Sequence, residues 1–227
     1  MSVVPDTTLP NTTFPGAAFH GTSAPGAARL GADASQRTFR LLLDAFSRPG
    51  RIVDLSALAA HHGVEPVLLP VLALADLDTT VAVIDEPDRG VAFAEIVARS
   101  TNAPITRGLD DADLVLASGT VTAAQIALLR CGDAWAPECG ARLALRCTRL
   151  DDTDRVPVGG IRLRVSGPGA SSGRTVAVDG VAADVFDALQ LANAEHPAGV
   201  DTWLIDGGGR CVGVPRSSSI EIMEETD

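Results

Sequence analysis

Apolar positions along this chain recur with two different periods, and each period predicts an element. Within residues 36–47, Phe39, Leu42, Leu43 and Phe46 fall at i, i+3, i+4 and i+7, the spacing that lines one face of an α-helix. Asp33 followed by Gln36 has the form of a capping box at the start of that helix. Pro49-Gly50 ends it, and residues 51–55 then alternate as a short strand. The rest of the chain is organised around this helix, stop and strand. Arg48 and Arg51 stand on either side of the stop, where two guanidinium groups can face one anion or carboxylate, or simply cap the helix end in water.

Downstream, helix-like and strand-like runs alternate. Residues 66–77 read as a buried helix in which Pro66 suits the first turn and Pro70 is a source of distortion. The β-branched run 79–85 reads as a core strand, 90–99 as a helix ending at Ser100-Thr101-Asn102, and 112–118 as another apolar strand. Thr122 and Gln125 then form a capping box for a helix through Leu129. This order predicts an α/β sandwich.

The second half turns to period two. In 141–150, Leu143, Leu145 and Cys147 share one face while Arg142, Ala144, Arg146 and Thr148 share the other; Arg162 and Arg164 repeat that polar face between Ile161, Leu163 and Val165. Residues 151–160 form a polar turn, and 168–173 a Gly/Ser-rich loop before a strand at 174–178. A last helix covers 181–195, and a hairpin pairs 200–206 with 210–215 through Gly207-Gly208-Gly209. Residues 1–30 read as a polar, mobile tail, 31–220 as a single α/β domain, and 221–227 as a disordered acidic tail.

Composition narrows the function. The net charge of −11 argues against a nucleic-acid or anionic-membrane partner, and an anionic small ligand would need a local arginine cluster working against the overall field. No lysine is present, so neither a pyridoxal phosphate Schiff base nor a P-loop lysine is available, and the absence of tyrosine removes phenolic acids and bases. The first thirty residues lack a signal-peptide pattern, and the apolar stretch 64–84 is broken by acidic residues and prolines, so a cytoplasmic location is expected. Cys131, Cys139, Cys147 and Cys211 are read as free structural thiols, because their spacing is wrong for a metal knuckle. Neither a metal nor a cofactor is expected.

Candidate chemistry is thin. The loop 166–173 has glycines that can cradle a phosphate, but a strand follows it where a helix N-terminus would be needed, so a plain hairpin loop is preferred. Asn102 and Glu138 lie at element boundaries, Glu138 being a possible acid, base or anchor for Arg48, and Arg216 follows the final hairpin strand. No spacing suggests a triad. Such a chain reads as an accessory subunit rather than a complete enzyme.

The motifs carry a resemblance. Gln36-x-x-Phe39-Arg40 with Ser47-x-Pro49-Gly50, Thr101-Asn102-Ala103-Pro104, Ala136-Pro137-Glu138-x-Gly140-Ala141, 163–169 with its Ser-Gly-Pro-Gly end, and 196–222 with Gly199-Val200-Asp201 and Val214-Pro215-Arg216-Ser217-Ser218 occur in order. Together they resemble the H subunit of the bacterial carbon-phosphorus lyase core complex. The resemblance implies a three-layer α/β/α sandwich with a mixed sheet, similar to the pyridoxal-phosphate-dependent transferases but without their cofactor site. It implies a homodimer joined to G, I and J subunits in the step that couples an alkylphosphonate to the ribose of ATP. It carries over no catalytic residue; Arg48, Arg51, Asn102, Glu138 and Arg216 lie in the matching motifs as a ligand or interface set. The long N-terminal tail and the extension after Ile222 depart from the family pattern. Two rival readings are a stand-alone transferase or hydrolase using Cys139 or Cys211 as a low-pKa thiol, and a phosphonate- or nucleotide-binding regulatory module.

Overall fold

In chain order the elements are α1 (Ala32–Ser47), β1 (Ile52–Asp54), α2 (Ser56–His62), α3 (Leu68–Leu74), β2 (Val81–Ile84), α4 (Pro87–Thr101), β3 (Ile105–Thr106), β4 (Leu114–Ala117), α5 (Ala123–Ile126), β5 (Arg142–Cys147), β6 (Arg149–Asp151), β7 (Ile161–Gly167), β8 (Ala170–Asp179), α6 (Ala183–Ala192), β9 (Asp201–Asp206), β10 (Arg210–Val214) and β11 (Ser219–Met223). The computed structural model describes residues 29–152 and 160–223. Most of the predicted tail 1–30, most of the turn 151–160 and the last four residues lie outside them. Among the described residues no helix is long and apolar enough to cross a membrane.

A seven-stranded mixed sheet, in the order β1-β10-β9-β5-β4-β2-β3, forms the middle layer. Its strands from β9 to β3 are parallel, and β10 and β1 close one edge antiparallel. Alternation sorts the side chains. Leu114, Leu116, Ala144, Trp203 and Ile205 pack against α1 to α4 on one face. Val115, Ala117, Leu143, Leu145, Cys147 and Leu204 face the other side, where α5, α6 and a second sheet complete the core. This second sheet is four-stranded, in the order β11-β7-β8-β6. The α/β class and the mixed sheet are as expected, but the outer layer on this side is part sheet.

Several local readings change. The helix α1 begins at Ala32 behind Gly31, which is extended and offers no side-chain cap, so Asp33 lies in its first turn and no capping box forms there. The expected capping box at Thr122 and Gln125 does form. Pro70 is the third residue of α3 and leaves it undistorted, because first-turn N–H groups have no intrahelical partner anyway. His61 and His62 end the helix α2, closed by left-handed Gly63, rather than a polar turn. The expected strand 141–150 breaks at Thr148, and β5 and β6 join different sheets. The loop 168–173 shrinks to the turn at Pro168-Gly169, because 170–173 already belong to β8. Glu221, Ile222 and Met223 are not tail but strand, pairing with Arg164, Leu163 and Arg162 of β7.

Candidate functional site

Because β2, β4, β5 and β9 are parallel, their amino ends share one edge of the sheet and their carboxyl ends the other, and each edge carries a cleft, the amino-end one on the α1–α4 face. The amino-end cleft has a volume of about 520 Å³. Phe39, Leu43 and Phe46 of α1 wall it, Trp203 underlies it, and Arg142 and Asp201 stand at the strand starts. Phe46 stacks on Trp203 with ring centroids 4.5 Å apart, and the Trp203 indole N–H donates to the Leu42 carbonyl at 3.4 Å. The helix therefore seats on its Ala34, Thr38, Leu42 and Ala45 side, and Phe39 and Leu43 remain 44% and 48% exposed. The predicted apolar stripe is thus divided: Leu42 enters the core, while Phe39 and Leu43 face the cleft and solvent.

Beside this cleft the structure joins two of the sequence motifs. Arg216 is only 12% exposed. Its Nη2 and Nε donate to Asp201 Oδ2 at 2.7 and 3.1 Å, its backbone N–H donates to Asp201 Oδ1 at 2.9 Å, and its Nη1 donates to the Pro137 carbonyl. Arg216 thereby ties the 3-10 turn Pro137–Cys139 to the start of β9, and Glu138 is carried, exposed, on that turn. With its donors engaged in this way, Arg216 serves as a staple rather than a free anion-binding arginine.

The remaining candidates do not line the cleft. Arg48 caps the end of α1 and pairs with Asp44 one turn back, not with Glu138. Arg51 directly precedes β1 and is exposed. Their turn rests on the β7–β8 hairpin, where Arg174 Nη1 donates to the carbonyls of Pro49 at 2.8 Å and Gly169 at 2.9 Å. Gly50 is left-handed there, and a Cβ on it would come within 2.8 Å of the Arg174 Cβ. Asn102 is the left-handed cap of α4, with φ 61° and its N–H donating to the Ala98 carbonyl at 3.1 Å, a geometry Asn tolerates better than most residues.

Two of the thiols are removed from chemistry. Cys147 and Cys211 are buried, and burial, with the Asp206 carboxylate nearby, pushes both thiols far up from their ordinary range. Burial also raises Cys131, against a smaller opposing effect of Arg216. Cys139 is exposed. Among the described residues no group of three or more His, Cys, Asp or Glu side chains could hold a metal ion.

The carboxyl-end crevice was not anticipated. The connection leaving β2 crosses through α4 on one face, and that leaving its neighbour β4 crosses through α5 on the other. Such a divergence opens a crevice outside the strand ends, the usual ligand position in open α/β sheets. Here it has a volume of about 200 Å³ and is lined by Asp85, Arg89, Ser118, Thr120, Arg146 and Thr148 among others. Glu65 bridges its two arginines, Oε1 lying 3.5 Å from Arg89 Nη1 and Oε2 3.2 Å from Arg146 Nε. The one signal in the sequence was the placing of Arg146 on the polar face of its strand; its meeting with Arg89 is set by tertiary structure.

Known proteins supply the context for this arrangement. Residues 27–221 match the family described as "Bacterial phosphonate metabolism protein (PhnH)". A curated relative, the "Putative C-P lyase subunit protein HtxG" of Stutzerimonas stutzeri, is 29% identical over 191 residues, covering 84% of this chain and 88% of the relative. The motifs quoted from the sequence, the α/β architecture and a family match over nearly the whole described chain agree, and the chain belongs to the PhnH family of bacterial phosphonate metabolism proteins.

Proposed function

We propose that this chain is an accessory subunit of a cytoplasmic carbon-phosphorus lyase core complex, needed for forming ribose 1-alkylphosphonate 5-triphosphate from ATP and an alkylphosphonate. In this reading it is a homodimer that joins G, I and J subunits. Its sandwich takes the form of the pyridoxal-phosphate-dependent transferases, with no lysine to carry their cofactor. The observation that carries the reading is the apolar stripe left outside by α1, with Phe39 and Leu43 one turn apart beside a 520 Å³ cleft. Exposed apolar side chains adjoining a concave surface fit a protein contact, and the phosphonate-metabolism family together with a relative named as a putative C-P lyase subunit supports a lyase complex as its setting.

The rival with a catalytic thiol loses Cys211, which is fully buried with its thiol pushed up. The deciding experiment is the molar mass, by size exclusion with light scattering, of the chain alone and after co-expression with G, I and J subunits. A dimer that enters a stoichiometric larger assembly, together with phosphonate-dependent adenine release by that assembly and not by one lacking this chain, is the expected result. A monomer that ignores those partners would overturn the proposal.

A further inference from the structure

The carboxyl-end crevice holds the local arginine cluster that an acidic chain needs in order to bind an anion. Arg89 comes from the first turns of α4 and Arg146 from the end of β5, and one carboxylate, Glu65, lies between them with one oxygen toward each guanidinium. The Arg89 contact is a long hydrogen bond and the Arg146 contact an ion pair only, its buried Nε having no hydrogen-bond partner, so both guanidinium groups keep donor capacity for an oxyanion. Glu65 belongs to the short connection between α2 and α3 and is 43% exposed, so its ion pairs compete with water and are cheap to break. The arginines are anchored through their backbones in α4 and β5. The Asp85 carboxylate, only 4% exposed, lies behind Arg89 in a longer ion pair, its Oδ2 3.8 Å from Arg89 Nε.

The other walls specify what can enter. The hydroxyls of Ser118 and Thr120 lie 2.7 Å apart, and one proton serves that bond, leaving the other hydroxyl free to turn toward a ligand oxygen. Thr148 adds a third hydroxyl on the lining. Asp85 and Glu86, also on the lining, are acceptors only and repel a bare anion. They suit an anion that brings a proton to donate, which hydrogen phosphate does from its own P–OH, a sugar phosphate does from its sugar hydroxyls because its ester phosphate is mostly fully ionised at neutral pH, and sulfate does not.

We infer that the crevice at the carboxyl ends of β2, β4 and β5 binds a proton-bearing tetrahedral oxyanion, which displaces the Glu65 carboxylate from between Arg89 and Arg146. The inference does not depend on the chain's place in a lyase complex. It assigns this chain a ligand site of its own, beside which Glu65, outside the crevice lining, competes for the same two arginines.

The test is a titration of the full-length chain with inorganic phosphate, followed by calorimetry or by amide NMR shifts at 118–120 and 146–148. Sodium sulfate serves as the control, and ribose 5-phosphate and methylphosphonate as the ester and phosphonate arms. Removing the competing carboxylate with Glu65→Gln should tighten phosphate binding about tenfold, and Arg146→Gln should weaken it by about the same factor or more, as expected for one charge-assisted contact. Arg146 lies in a central strand, so Glu65→Gln, on the exposed connection, is the deciding variant. Tighter binding of ribose 5-phosphate than of phosphate would identify an ester as the ligand, and equal binding the free anion; either supports the site. Sulfate binding as well as phosphate, Glu65→Gln binding no tighter than the unaltered chain, or no binding by either protein would overturn it.

Discussion

Arg216 shows how a motif residue can be chemically occupied. Asp201, whose Oδ2 accepts from both Nε and Nη2 of Arg216, is 19% exposed and loses its cation in an Arg216→Gln variant. For a pair this enclosed the loss should cost about 2–3 kcal/mol, below the 3–5 typical of fully buried pairs. That corresponds to a melting temperature lower by roughly 5–10 °C in a chain of this size, measurable by calorimetry. Arg216→Lys should recover little of it, since one ammonium cannot hold Asp201 and the Pro137 carbonyl together. Thiol reactivity is the second expectation at this scale. An alkylating probe should modify exposed Cys139 quickly and half-buried Cys131 slowly, and should reach Cys147 and Cys211 only on unfolding, because a buried thiol whose pKa is pushed up presents almost no thiolate. Mass spectrometry of a time course, with and without denaturant, reads all four sites. Early labelling of Cys211 would revive it as a nucleophile.

Among the elements, α1 divides what the sequence showed from what it concealed. Its existence and its stop at Pro49-Gly50 were legible, because period and punctuation are local. Which part of the apolar stripe is buried was not, because Gly213 on β10 decides it. A Cβ at Gly213 would lie 2.5 Å from the Ala45 backbone, so the helix sits directly on the strand and turns Leu42 inward and Phe39 outward. Gly213→Ala should therefore lift α1, break the Phe46–Trp203 stack and cost about 1–3 kcal/mol, the range for overpacking a tight contact. Near-ultraviolet circular dichroism of the two tryptophans, one of which makes this stack, together with a denaturant melt, checks it. The same logic covers the strands. Alternation sorted the two faces of β5 and β7 but suggested half-buried strands, whereas β5 is central and covered on both faces, with Ala144 buried on the arginine side; nor could it say that β6, β7, β8 and β11 form a separate sheet, since the period is the same in either sheet. Composition concealed β11, in which Glu221 points outward between the inward Ile220 and the half-buried Ile222. Of the candidate site, the P-E-x-G and V-P-R-S-S motifs were legible one by one, but their meeting at Arg216 was not, since the sequence offered Arg48 as the partner of Glu138. The crevice at Glu65, Arg89 and Arg146 was not, because it is assembled from three segments distant in sequence.

At the scale of the whole molecule, one face of one sheet places Arg142 and Arg146 at opposite ends of the same strand, each in a different cleft. The amino-end cleft adjoins an apolar stripe suited to a protein surface, and the carboxyl-end crevice is small, polar and lined by paired charges. If the first serves assembly and the second a ligand, the two must be separable by mutation. A Phe39→Asp, Leu43→Asp double variant should abolish the dimer or its entry into a larger assembly, because two carboxylates in an apolar interface have no partners there and desolvating each costs several kcal/mol. It should fold normally, because Leu42, which lies between them in sequence and holds the helix to the core, is untouched and 1% exposed. Its phosphate response should match that of the unaltered chain, and Glu65→Gln should give the converse, altered phosphate binding with unchanged mass. Light scattering and the phosphate titration on the same two preparations distinguish these outcomes. Loss of both properties in the double variant would mean that the crevice is completed only in the assembled state, so the partner or second copy would have to reach the carboxyl ends of β2, β4 and β5. Retention of the dimer and of its assembly would mean that α1 faces water in the complex, and the contact surface would have to be sought among the other exposed apolar side chains, with Trp135, 96% exposed on the loop before the Pro137 turn, the first to replace.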